Sequence, residues 1–243
     1  MLEKAGDQVG FVFIHGAGLS SGIWTQVAEG MGHPCLLVDY PQRHDGNQSR
    51  RGCALQDYTA CMNKQIETWP VRRIILVAHS LGGLLALQTA EAWRDRVVGF
   101  AAIGAVIPAR GGSFLSAMPF PKRLLLGAVL RFAGTKPPEG AIRQGLCSDL
   151  TLEQTESVIR GFVAESVRVY TDRIEAPAPE VPKLYVKLGQ DRELSLAMQE
   201  RMAANLDTHY IEQLETGHLP MLSKPDEVRR VLNDFMHRIR EGG

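Results

Sequence analysis

The stretch Arg73-Ile74-Ile75-Leu76-Val77-Ala78-His79-Ser80-Leu81-Gly82-Gly83 decides the fold. Ile74 to Ala78 is an unbroken apolar run, the pattern of a strand buried on both faces. A serine follows, and then a near-continuous apolar segment, Leu81 to Ala90, that reads as a buried helix. A strand that turns into a helix at a serine flanked by small residues is a nucleophile elbow. The turn is so tight that side chains two residues to either side of the serine would collide. Those positions hold Ala78 and Gly82, so the pentapeptide is A-x-S-x-G where the usual form is G-x-S-x-G. So short a string also fits an ordinary buried serine, and what the chain places beside it must decide.

Toward the N-terminus, Val9 to Ile14 and Cys35 to Val38 read as strands. Between them a helix is predicted over Ser20 to Met31, with Ile23, Trp24, Val27, Ala28 and Met31 on one side. Leu55 to Trp69 reads as a helix stopped by Pro70, and Gln42 to Gly52, with Arg43, Arg50 and Arg51, as an exposed polar loop. Toward the C-terminus, Val97 to Ile103 is a strand ended by Gly104. Strands alternating with helices predict an α/β fold with a mostly parallel sheet and helices on both faces.

The alternation breaks at Ala105. From there to Glu180 no strong strand is visible; Arg123 to Phe132 and Leu152 to Val163 read as helices, the second with Thr151 and Gln154 placed for a capping box. Residues 105–180 are therefore expected to be a helical cap or lid, inserted into a core of 1–104 and 181–243. The proline-rich Ala176-Pro177-Ala178-Pro179-Glu180-Val181-Pro182 is a stiff return to that core. Leu184 to Leu188 and His209 to Leu214 complete six strands, with a helix over Leu194 to Leu206 between them. Pro225 opens a last helix whose stripe is Val228, Val231, Leu232, Phe235 and Ile239. Asp226 and Glu227 lie in its first turn and His237, Arg238 and Arg240 in its last, as the helix dipole favours.

The 243 residues suit one large domain, with 44% hydrophobic and 22% charged residues. Lys plus Arg equals Asp plus Glu, 27 against 27, so the chain as a whole makes no electrostatic case for nucleic acid or an anionic membrane. No apolar run is long enough to span a bilayer, and the first residues lack the apolar core of a signal peptide. Cys35, Cys53, Cys61 and Cys147 form no C-x-x-C pair and read as reduced thiols, which makes a cytoplasmic location the expectation. Nothing in the sequence speaks to oligomeric state.

Four polar signals fall just past the C-terminal ends of four strands: His15-Gly16-Ala17-Gly18, Ser80, Asp191 and His218. Ligands bind at that edge of an open parallel sheet. A serine hydroxyl is a poor nucleophile without an adjacent base, imidazole is the base suited to neutral pH, and a carboxylate fixes the imidazole tautomer. His79 abuts the serine but is expected to point away, and Glu193 is the nearest competitor of Asp191 for the acid.

Together, Phe11-Val12-Phe13-Ile14-His15-Gly16-Ala17, Ala78-His79-Ser80-Leu81-Gly82-Gly83, Leu188-Gly189-Gln190-Asp191 and Thr216-Gly217-His218 resemble the α/β-hydrolase superfamily, whose chain order is Ser, Asp, His. The compact members, plant-type methylesterases and hydroxynitrile lyases, are the nearest in layout. The resemblance implies a triad of Ser80, Asp191 and His218 and an oxyanion hole of the Ala17 and Leu81 N–H groups. It also implies that no metal or cofactor is used. The lyases of that branch carry a threonine after the first-motif histidine and a lysine after the catalytic histidine; here Gly16 and Leu219 stand there. The expectation is a serine esterase acting on small carboxylic esters, with lactones or thioesters in reach. Phe114, Leu115, Met118 and Phe120 of the cap would form an apolar substrate pocket beside Gly16 and Leu219. A lyase or C–C bond hydrolase on the same triad, and a ligand receptor on the same fold, are the alternatives.

Overall fold

The computed structural model describes residues 8–41 and 52–241. Positions 42–51 of the arginine-containing loop lie outside them. Six parallel strands, β1 (Val9–Ile14), β2 (Cys35–Val38), β3 (Arg73–His79), β4 (Val97–Ile103), β5 (Lys183–Leu188) and β6 (Tyr210–Leu214), form one sheet in the order β2-β1-β3-β4-β5-β6. The elbow strand β3 is central, paired to β1 and β4, and every residue from Ile74 to His79 is buried.

Period-2 alternation divides the core in two. Val12, Ile14, Ile74, Leu76 and Ala78 pack on one face with α2 (Leu55–Glu67), α3 (Gly82–Ala92) and α9 (Leu196–Leu206). Phe11, Phe13, Ile75 and Val77 pack on the other with α1 (Thr25–Glu29) and α11 (Pro225–Glu241). On α11 the buried residues are Val228, Val231, Leu232, Phe235, Met236 and Ile239, the stripe read from sequence with one methionine added.

The helix expected over Ser20 to Met31 is shorter and broken: a 3₁₀ turn, Ser21–Trp24, leads into α1, and Gly30 ends it. Between β4 and β5 the described chain contains no strand. It holds α4 (Phe114–Ala117), α5 (Phe120–Phe132), α6 (Glu139–Gln144), α7 (Leu152–Gly161) and α8 (Arg168–Thr171). The periodicity missed α6 and α8, which are too short for a pattern to register, and α4, which ends at Met118-Pro119. α5 begins three residues earlier than expected because Pro121 sits in its first turn, where a missing N–H is harmless. The capping box of α7 is present: Gln154 N–H donates to Thr151 Oγ1 at 3.2 Å, and Thr151 N–H to Gln154 Oε1 at 3.0 Å. All four cysteines are free thiols.

Candidate active site

Ser80 adopts φ +50°, one of two non-glycine residues in the left-handed region among those described. That conformation costs an L-residue roughly 1–2 kcal/mol and persists only where the surroundings impose it. Here they do. The Ser80 carbonyl accepts from Gly83 N–H at 3.1 Å and from Val106 N–H at 2.9 Å. A Cβ on Gly82 would lie 2.7 Å from the His15 carbonyl oxygen, so the small residue after the elbow is a packing requirement.

The loop after β1 closes against that turn. A Cβ on Gly16 would lie 2.9 Å from His79 Nδ1 and 3.0 Å from Ser80 Cβ. Gly18, at φ +74°, leaves no room either: a Cβ there would meet the Phe162 ring at 2.2 Å. Tyr40 Oη donates to the His15 carbonyl. Glu165, buried in the segment between α7 and α8, accepts from Gly18 N–H and from Tyr58 Oη, both at 2.9 Å, and Val163 N–H donates to the Gly18 carbonyl at 3.0 Å. The β1 loop is thus held by the sheet beneath and by the insertion above. Among the described residues neither Ala17 N–H nor Leu81 N–H donates a hydrogen bond.

Past β5 and β6 the other two residues meet. His218 Nδ1–H donates to Asp191 Oδ2 at 2.8 Å, and both side chains are sealed from solvent. Asp191 Oδ1 accepts from Glu193 N–H at 2.7 Å and Leu194 N–H at 3.1 Å. Burial alone would raise the Asp191 carboxyl, but attraction to His218 and these hydrogen bonds hold it below the usual carboxylate range. Burial likewise opposes the charged form of His218, and the Asp191 carboxylate outweighs it and raises the imidazole pKa. With Nδ1 donating, Nε2 of neutral His218 keeps its lone pair. The loop itself is fixed by Gly217 N–H donating to Asp149 Oδ2 at 2.7 Å, another contact from the insertion.

Ser80, His79 and His218 border one cavity of about 370 Å³, which Gly16, Ala17, Phe114 and Met118 also line. No hydrogen bond joins Ser80 and His218 among the described contacts; such pairs commonly tighten only around a substrate. The rest of the wall is mainly apolar and comes largely from the insertion, including Leu126, Leu130, Ile142 and Phe162; Lys122, Thr135 and Lys136 of the insertion and Glu193 after β5 are polar exceptions. A larger, open cleft of about 600 Å³ between Gly18–Gln26 and α7 is bordered by none of Ser80, Asp191 and His218.

Four expectations change. Leu115, expected in the substrate pocket, does not line the cavity and packs against the core instead. Phe120 is 69% exposed on the outer side of α5 and does not line the cavity, because Pro121 starts the helix early and turns Phe120 outward. Leu219 is buried in the core instead of the cavity wall, since the chain turns into α10 (Pro220–Ser223) there. His79 does not point away from the site: its Nε2–H donates to the His218 carbonyl at 2.8 Å and its ring lies 4.8 Å from that of His218. Glu165, Asp149 and Lys122 were not found from sequence; each sits in the insertion with no local motif around it.

This fold and this sequence define the class. Residues 11–231 match the model of the alpha/beta hydrolase family, and the chain belongs to that family. Among curated proteins it is similar to the probable esterase PIR7A of rice (Oryza sativa), 31% identical over 111 residues, a match spanning 42% of this chain and only 40% of the rice protein. Among solved structures it resembles an extracellular alpha/beta-hydrolase from a Paenibacillus species, described as sharing structural and functional homology with tobacco salicylic acid binding protein 2. That match has TM-score 0.83 at 18% identity and covers 93% of this chain and 98% of the other. It also resembles a pyrethroid hydrolase from Sphingobium faniae, with TM-score 0.77 at 21% identity, covering 93% and 97%. Among the described residues no helix is long and apolar enough to cross a membrane.

Proposed function

We propose that the protein is a serine hydrolase of small carboxylic esters, with lactones and thioesters within the same chemistry. The observation that carries the reading is Ser80 held at φ +50° on the wall of a cavity it shares with His218, whose Nδ1 is bonded to Asp191. In this reading Ser80 Oγ attacks the ester carbonyl while His218 Nε2 takes its proton. His218 returns that proton to the departing alcohol, leaving an acyl-Ser80 that water then hydrolyses by the same relay. Asp191 keeps the tautomer and stabilises the imidazolium. The Ala17 and Leu81 N–H groups receive the oxyanion, each lowering the barrier by on the order of 3–4 kcal/mol.

The insertion acts as a cap in this account. Its side chains supply most of the cavity wall, so the acyl or alcohol group they receive is apolar and small enough for about 370 Å³. The rice relative's name and the pyrethroid hydrolase likeness agree with ester chemistry. Lys122 on the same wall keeps a second reading in view, because a cyanohydrin lyase needs a cation near its leaving group. The test is a panel of p-nitrophenyl esters of increasing acyl length, run beside aryl methyl esters and a cyanohydrin. Turnover of esters without cyanide release is expected; cyanide release faster than ester hydrolysis would replace this reading with the lyase.

A further inference from the structure

One deeply buried polar group on the cavity wall is used neither by the fold nor by the proposed reaction: the phenol of Tyr170, on α8. The residue is only 7% exposed, and it borders the cavity shared by Ser80 and His218. Its hydroxyl makes no hydrogen bond among the described residues, yet it is not one of the sealed polar atoms, so it opens on that cavity. The other polar side chains that the insertion brings to this wall are engaged or solvated. Thr135 Oγ1 donates to the Glu165 carbonyl at 2.7 Å, Lys122 Nζ donates to the Glu193 carbonyl at 2.6 Å, and Lys136 is exposed.

A hydroxyl moved from water to an apolar wall is destabilising unless something bonds it. A phenylalanine would fill the same wall without that cost, as Phe114 and Phe162 do beside it. The Tyr170 ring is fixed. It meets Phe114 edge-on, with centroids 5.1 Å apart and planes at 87°, and Tyr170 N–H donates to the Val167 carbonyl at 3.0 Å. Burial, and repulsion from the Glu165 carboxylate, push the Tyr170 pKa up, so the hydroxyl keeps its proton and donates. The same carboxylate selects the acceptor: an anion at the hydroxyl is repelled as the phenolate is, and a neutral oxygen is not.

We propose that Tyr170 is a specificity-determining residue whose hydroxyl donates to a second oxygen of the substrate, an uncharged carbonyl oxygen carried on the acyl or alcohol chain in addition to the scissile ester. The proposal deepens the ester-hydrolase reading and rests on it for the bond that is cut. Phe114, Met118 and Leu130 then enclose the chain, and Tyr170 supplies a fixed point at which the pocket reads polarity. A plain alkyl ester of the same length would bury the hydroxyl unpaired, and that penalty is what lets such a pocket discriminate.

Matched esters read this directly: ethyl hexanoate beside ethyl 3-, 4- and 5-oxohexanoate for the acyl side, and butyl butanoate beside 3-oxobutyl butanoate for the alcohol side. At least one oxo ester should exceed its parent in kcat/KM by roughly three- to tenfold, the size of one neutral hydrogen bond. Tyr170→Phe should move that pair in opposite directions, lowering kcat/KM for the oxo ester and raising it for the parent, chiefly through KM. A residue that merely packs would lower both. With no protein partner to lose, Tyr170→Phe should melt no lower than the wild type. Calorimetric binding to Ser80→Ala repeats the comparison without turnover: the preferred oxo ester should bind more tightly than its parent, and adding Tyr170→Phe should erase the difference. An oxo preference in binding with no ester hydrolysed by the wild type would uphold the role of Tyr170 and remove the ester-hydrolase reading. No oxo ester preferred in rate or in binding, or a preference that survives Tyr170→Phe, would overturn the proposal. So would a lowered melting temperature, which would reveal an internal partner, or a preference for monoethyl adipate, which carries a carboxylate, over every oxo ester.

Discussion

His79 donates through Nε2 to the main-chain oxygen of His218 at 2.8 Å, so the residue preceding the elbow serine supports the loop that carries the second imidazole. The bond crosses from the end of β3 to the turn beyond β6, two strands that are not neighbours in the sheet. It fixes the His79 tautomer, since a carbonyl can only accept, and leaves Nδ1 buried beneath Gly16 without a partner. Burial, and repulsion from His218, press the His79 pKa down to about 3.

His79 should therefore make the fold acid-sensitive. An unfolded histidine binds a proton near pH 6.5 and folded His79 only near 3, so the stability contributed by its neutral form is present above about 6.5 and lost as pH falls toward 3. Well inside that window the loss approaches about 1.4 kcal/mol per pH unit. Denaturant melts at pH 7 and pH 5 should show His79→Gln losing less stability over that interval than the wild type, by roughly 1–2 kcal/mol. Equal losses would mean that His79 carries no such burden.

In the mechanism proposed above, the raised pKa of His218 sets the acid limb of activity. Its base form is needed for proton transfer, so kcat/KM should fall as pH drops through a midpoint above the ordinary histidine value of about 6.5. Asp191→Asn removes the main group that raises it, leaving burial opposed only by the weaker attraction of Glu193. The limb should move to lower pH while the plateau drops on the order of 10³–10⁴-fold. Glu193→Gln should leave the plateau within a few-fold, because Asp191, not Glu193, bonds His218 Nδ1. A larger loss from Glu193→Gln would reverse the assignment of the acid.

Glu165 should behave as a positioning residue. Its carboxylate holds Gly18 N–H and Tyr58 Oη, next to the loop that carries Ala17. Glu165→Ala orphans a buried N–H, and the freed loop should lower kcat by about tenfold with little change in KM. Glu165→Gln, which keeps an acceptor for Gly18, should restore most of kcat. A change confined to thermal stability, with kcat intact in both variants, would limit Glu165 to packing.

Met118 and Phe120 were equivalent in the sequence and are not in the structure. Met118 lines the cavity and Phe120 points outward. Met118→Ala should shift the ratio of kcat/KM between short and long acyl chains by roughly tenfold, the scale of one or two methylenes, whereas Phe120→Ala should leave that ratio unchanged. The opposite pattern would show that α5 sits differently in solution.

What the sequence revealed follows from how local each signal is. The strands around the elbow announced themselves because a strand buried on both faces needs an unbroken apolar run, as in Ile74 to Ala78. The placement of Ser80, Asp191 and His218 at one sheet edge was legible because each lies within about four residues of the end of its strand. Residues that act across the chain left no local trace: Glu165 reaches Gly18 over 147 positions and Asp149 reaches Gly217 over 68. His79 was misjudged because neighbours along an elbow diverge from each other, which says nothing of the loop beyond β6 that comes to meet His79. Phe120 was misjudged because a proline can start a helix as well as stop one.

The central claim is that Ser80 is a nucleophile activated by this arrangement. A fluorophosphonate probe followed by peptide mass mapping tests it most directly. The wild type should be labelled at Ser80 alone, and Ser80→Ala should fold normally, take no label and lose roughly 10⁴-fold or more in kcat. Labelling at another serine, or near-wild-type ester turnover by a folded Ser80→Ala protein, would contradict the account.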